Sequence, residues 1–318
     1  MRFAHRATAF SVALFIALAS VAAAADQPAA PAGHDTEWHG YNGESDATRF
    51  SPLTQIDMKN AAELQEVARF KIPETLSFQC GPVVIGDTMY ITTVKSTYAI
   101  DARTGEKRWA RTIEPQSQGI GTPVRGAAFD DGRLFRGTMD GHVIALDAKT
   151  GEVIWDVQGV DYKTGEYYTA VPVVFNGLVI IGNSGSDMGG VGHIRAFDAR
   201  SGKQVWNFDN VPSSGEAAKT WPDDPNKIRA GGGMYSSFAL DPEAGLLYSP
   251  VGNPGPDFVK DYRPGDNLYT CGVAIAGGIV TYMLGGKPYV AIAGGMKNAI
   301  VQTESGPAWV AIFALPEK

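Results

Sequence analysis

The sequence predicts an all-β protein, a β-propeller of about five blades that either closes as a small ring or stands as an incomplete, open one. Three observations predict it. The phrase "AIDARTGEKRW" at 99–109 returns as "ALDAKTGEVIW" at 145–155 and "AFDARSGKQVW" at 196–206. Aligned on Asp101, Asp147 and Asp198, with a weaker fourth copy at Asp241, the repeats fall 46, 51 and 43 residues apart, a blade-sized period. The 38 Gly, 12 Tyr and 6 Trp supply turns and strand-compatible aromatics rather than helix.

The first element is not part of the fold. "MRFAHR" is a short positive region, and the Ala-rich apolar run after it ends in small residues before Asp26. This pattern predicts a secretory signal peptide over 1–25, a mature domain over 26–318, and export to the periplasm. Residues 26–60 follow as a polar, irregular lead-in. In each repeat "GDTMYITT", "DGRLFRGT" or "NGLVIIGN" gives a turn and a strand, and "STYAIDA", "GHVIALDA" or "GHIRAFDA" gives the next. "RTG", "KTG" and "RSG" make the tight turn, with Gly at positive φ and Asp accepting from its own turn amides. The strand ending in Trp109, Trp155 or Trp206 completes the unit, its indole filling the seam between radial sheets. Residues 212–229 read as a loop inserted in a blade. No linker divides the chain.

Bulk chemistry excludes several functions. The 27 Lys and Arg against 34 Asp and Glu give a net charge of −7, which disfavours nucleic acid as a partner. There is no C-x-x-C-H and no Cys/His cluster for zinc. The five His are scattered and read as hydrogen-bonded or solvated residues. An exported compartment permits a disulfide between Cys80 and Cys271, but the sequence leaves open whether they pair.

The stretches "RFSPLTQI", "RLFRGTMDGHVIALDAKTGEVIW" and "VGNPGPDFVKDYRPGDNLYT" resemble the quinoprotein alcohol dehydrogenases, periplasmic enzymes that hold pyrroloquinoline quinone (PQQ) and a metal ion on the axis of an eight-bladed propeller. The resemblance runs from Trp38 to Thr270 and resumes from Gly272, where "GGIVTYMLGGKPYVAIAGG" looks like the closing blade. It implies PQQ and Ca²⁺ as cofactors and an alcohol as substrate. It also implies an external cytochrome or membrane quinone as electron acceptor. By position it implies cofactor contacts from Gln79, Arg125, Thr169, Ser184 and Gly185. Arg125 would bring a guanidinium fork to a carboxylate. Asp187 and Asn253 would be the metal ligands, an oxygen-only set suited to Ca²⁺.

Three departures stand beside this. Tyr235 is in register with a Trp that floors the cofactor in the family. The family's adjacent cysteine pair is missing. After "DNLYT" (266–270) the chain runs straight into closing-blade sequence, so the segment with the family's catalytic aspartate is absent. Asp257, Asp261 and Asp266 read as turn residues, which leaves the catalytic base unknown. General-base catalysis typically contributes roughly 10²–10⁴-fold, so the omission bears directly on activity. Two readings stay open: a PQQ-dependent dehydrogenase, its activity in question, and a non-catalytic periplasmic scaffold. Five blades leave strand edges that partial closure or a second copy of the chain would cover.

Overall fold

The computed structural model describes residues 37–74, 77–117, 123–224, 226–243, 246–257, 259–267, 270, 279–284, 287–294 and 309–314. The expected signal peptide and Cys271 lie outside these residues. The compact unit Ala32–Lys318 is built from antiparallel sheets.

Strand β1 (Gln65–Lys71) opens the described fold. The first sheet then runs β2 (Val83–Ile85), β3 (Thr88–Thr92), β4 (Ser96–Asp101) and β5 (Lys107–Thr112). The second repeats it with β6 (Ala128–Asp130), β7 (Arg133–Gly137), β8 (His142–Asp147) and β9 (Val153–Gln158). The third does so with β10 (Val173–Phe175), β11 (Leu178–Gly182), β12 (His193–Asp198) and β13 (Gln204–Asp209). In the fourth unit β14 (Ala230–Gly231) pairs with β17 (Pro254–Gly255), and β15 (Ala239–Asp241) with β16 (Leu246–Tyr248). Finally β18 (Ile279–Leu284), β19 (Lys287–Gly294) and β20 (Trp309–Ala314) form a sheet in which β20 pairs with β1. Strand β1 and the three C-terminal strands thus share one sheet. The five units agree with the expected incomplete propeller.

The repeats form hairpins for local reasons. Asp147 Oδ1 accepts from the Lys149 and Thr150 amides at 3.0 and 2.7 Å, and Asp101 and Asp198 make the same turn. Each indole then joins one sheet to the next. Trp109 Nε1 donates to the Ala148 carbonyl at 3.1 Å, and Trp155 Nε1 to the Ala199 carbonyl at 3.0 Å. Each Trp sits third in its six-residue strand, not at its end as expected, because the strand continues beyond the seam contact.

The fourth copy needs correction. The lead-in contacts the first strand of successive sheets: Trp38 bridges Val84 in β2, and the Phe129 amide in β6 donates to His39. The Leu240 amide in β15 makes the same kind of bond, to the Ser45 carbonyl. The hairpin holding Asp241 therefore stands where β2–β3 stands in the first sheet, and is not the Asp-turn hairpin of the other copies. A short apolar pair, an Asp and a Gly-containing turn read alike in either hairpin.

Apolar clusters fill the interfaces between neighbouring sheets. Tyr90 and Ala99 meet Leu134 and Ile144; Phe135 and Trp155 meet Ile181 and Phe197; Ile180 and Ala196 meet Met234 and Phe238. Ile91 and Ile100 meet Ile312 of β20. Face-to-face sheet packing of this kind places the start of each first strand, and the loops beside it, along one inner edge.

Candidate functional site

Three predicted residues precede first strands: Gln79 before β2, Arg125 before β6 and Thr169 before β10. Backbone bonds tie these segments directly together. The Gly81 amide donates to the Arg125 carbonyl at 2.8 Å, and the Arg125 amide to the Thr169 carbonyl at 3.0 Å. Ser184 and Gly185 follow β11. Ser184 pairs through its backbone with Tyr167, and its hydroxyl lies 2.6 Å from the Thr169 hydroxyl. Gly185 has φ +114°, and a Cβ there would sit 1.8 Å from the Gly165 carbonyl oxygen, so only glycine allows this approach. The Met234 amide donates to the Asn183 carbonyl at 2.6 Å, which delivers Tyr235 to the same group.

Arg125 is the electrostatic centre. It is 8% exposed, and its Nε and Nη1 are buried without hydrogen-bond partners. Its guanidinium carbon lies 5.4 Å from the Tyr235 ring centroid, within cation–π range. Burial pushes the guanidinium pKa down, and the phenols of Tyr41, Tyr235 and Tyr167 act in the opposite direction. Among the described residues no carboxylate pairs with it. A desolvated cation with unused donors is costly in isolation and strongly complementary to an anion.

Asp187 lies exposed on the 3₁₀ turn Ser186–Met188. Asn253 is half-buried, and its amide nitrogen donates to the Pro254 carbonyl at 3.2 Å. The two segments pack together: the Ser186 hydroxyl accepts from the Gly233 amide at 2.8 Å, and a Cβ on Gly255 would lie 2.7 Å from the Ser186 carbonyl. Among the described residues no three His, Cys, Asp or Glu side chains gather around a metal position. Asp187 and Asn253 are thus two oxygen-bearing side chains on segments that pack together.

The structure brings Arg125, Thr169, Ser184, Gly185 and Tyr235 into one connected group. Gln79, buried, is joined to it through Gly81, and Asp187 and Asn253 through Ser186 and Gly233. Sequence reasoning missed three residues. Glu166 is buried, and its Oε1 accepts from the Val191 amide at 3.2 Å, clamping the loop that carries Asp187. Tyr167 and Tyr41 supply two of the phenols around Arg125. Tyr41 sits in a polar lead-in with no periodicity, so only its aromatic character marked it. Cys80 is a free, fully buried thiol, its pKa pushed up to about 12 by burial. A cavity of about 590 Å³, lined by Asp161, Lys163, Glu166 and Arg195 among others, contains none of the predicted residues.

Fold and site together define a class: a propeller whose first-strand segments meet beside one buried arginine with unused donors. Residues 38–276 match the PQQ family described as the glucose/ethanol/alcohol dehydrogenase β-propeller domain, and the chain belongs to that family. It is 36% identical over 289 residues to quinohemoprotein alcohol dehydrogenase ADH-IIG of Pseudomonas putida, covering 81% of this chain and 40% of that protein. It is 30% identical over 263 residues to a lanthanide-dependent methanol dehydrogenase of Methylacidiphilum fumariolicum, covering 74% of this chain and 43% of the other. Among solved structures, the quinohemoprotein alcohol dehydrogenase of Comamonas testosteroni superposes with a TM-score of 0.67 at 29% identity, covering 85% of this chain and 47% of that one. The chain spans about 40% of the length of the quinohemoprotein relatives it matches.

Proposed function

We propose that this chain binds PQQ with a hard cation, Ca²⁺, as an exported, periplasmic member of the alcohol dehydrogenase family. The observation that carries the reading is Arg125, a buried guanidinium with two unused nitrogens beside the Tyr235 ring. A planar ligand bearing carboxylates would give that fork an acceptor and the Tyr235 ring a stacking partner. When bound, PQQ supplies the two-electron acceptor for an alcohol's hydride.

The chain's own residues then have distinct tasks. Arg125 holds a carboxylate and Tyr235 offers a ring face. The paired hydroxyls of Thr169 and Ser184 add donors, and Gly185 lets the loop approach closely. Asp187 and Asn253 hold the cation. Primary alcohols are the proposed substrates, with an external cytochrome or membrane quinone taking the electrons.

Turnover is expected to be slow. The groups acting on Arg125 are phenols, and no carboxylate among the described residues stands by it as a base. Loss of general-base assistance typically costs roughly 10²–10⁴-fold in rate.

Titration of the purified protein with PQQ and Ca²⁺, followed by cofactor absorbance, tests the binding claim, and dye reduction with ethanol tests turnover. Saturable binding with weak or no dye reduction is expected. Arg125→Met, which keeps the apolar stem and removes the fork, should weaken PQQ by roughly 10- to 100-fold. A folded protein that binds no PQQ overturns the proposal.

A further inference from the structure

The lead-in segment does more than precede the sheets. Residues Trp38 to Ser45 run across first strands of three units, bonding to Val84, Phe129 and Leu240. Tyr41 lies midway along this strap and is 4% exposed. Its ring packs with Ala128 and Val171. The same ring leaves no room for a side chain at Gly81, where a Cβ would lie 2.5 Å from Tyr41 Cδ2. The Gly81 amide is the one bonded to the Arg125 carbonyl. Tyr41 and Arg125 therefore flank one backbone junction at the inner edge.

Both carry unused polar atoms. Tyr41 Oη is buried without a hydrogen-bond partner, as are Arg125 Nε and Nη1. Orphaned buried donors are rare, and two such residues meeting at one junction are rarer still. Burying a hydroxyl without a bond is unfavourable, so the arrangement makes physical sense when a ligand supplies acceptors.

We propose that Tyr41 is a further ligand-binding residue of the Arg125 site, its hydroxyl donating to an acceptor of the same planar polycarboxylate. Occupancy then tightens the 38–45 strap across the three units it touches. The inference rests on the PQQ reading above and adds to it a donor and a structural consequence.

Tyr41→Phe tests it, with the unaltered chain measured alongside. Without PQQ, the variant should be as stable to urea as the unaltered chain, or slightly more so, because an unpaired hydroxyl is removed. With PQQ and Ca²⁺, it should bind roughly tenfold more weakly. Hydrogen exchange over 38–45 should slow when PQQ binds the unaltered chain, and slow less in Tyr41→Phe. Equal PQQ affinity in both proteins sinks the Tyr41 assignment and leaves the PQQ reading intact. A clear loss of stability without PQQ sinks it too, since the hydroxyl would then have a partner within the protein. No PQQ binding by the unaltered chain ends both.

Discussion

Arg125 sets a stability cost against a binding gain. A buried guanidinium without an ion-pair partner is worse for the empty protein than an apolar side chain of similar volume. Arg125→Met should therefore raise the stability of the PQQ-free protein, by about 1–4 kcal/mol, while impairing PQQ binding. Urea midpoints read the first effect, and an unchanged or lowered midpoint refutes it. The turn aspartates show the opposite economy, with charge fully satisfied. Burial works against ionised Asp101, but bonds from Arg108 and the Arg103 and Thr104 amides outweigh it and hold its pKa at about 2. An unfolded Asp ionises near 3.9, so this carboxylate's contribution is full above about pH 4. It fades as pH falls through about 2. Between pH 5 and pH 2 the urea midpoint of Asp101→Asn should fall less than that of the unaltered chain; an equal fall would exclude Asp101 as a source of acid sensitivity.

At the scale of elements, the repeated phrase is a docking device between sheets. Its Trp reaches forward to the next copy's turn, and that copy's Gly receives it. Gly202 has φ +72°, and a Cβ there would lie 2.8 Å from Trp155 Cδ2. Gly177 has φ +73° with nothing within 4 Å, so it carries the backbone strain without the contact. Gly177→Ala should cost about 1–2 kcal/mol from the left-handed conformation alone. Gly202→Ala should cost at least about 1 kcal/mol more, because the indole must shift in a close-packed seam. Thermal or urea unfolding of the pair measures the difference, and equal costs would mean that the seam yields freely. The fourth copy shows where period alone misleads. Asp241 keeps an Asp-type turn, accepting from the Glu243 amide at 3.0 Å, but its hairpin occupies a different place in the sheet.

For the molecule as a whole, closure depends on strands far apart in sequence. Strand β20 lies between β1 and β19, so it holds β1 and the C-terminal strands in one sheet. Ile312 also joins the core shared with the first sheet. A chain stopped before Trp309 exposes two strand edges. It should unfold at lower urea and aggregate more on sizing columns; behaviour like the full chain would show that β1 does not need its partner. Much of this architecture was legible beforehand. Turn chemistry, period and the phase of Trp are local, so Asp101, Asp147 and Asp198 announced themselves, and family-like motifs pointed to Arg125 and Asn253. Tyr41 and Glu166 gave no such signal, because their roles depend on which backbone they lie against. The sequence by itself therefore determined the repeating hairpin, its turn and its seam residue, since these arise from neighbours within one unit. Only the tertiary structure decided which buried donors lack partners, which strap crosses the inner edge, and where the fourth hairpin belongs, because those follow from packing between units that no single stretch of chain contains.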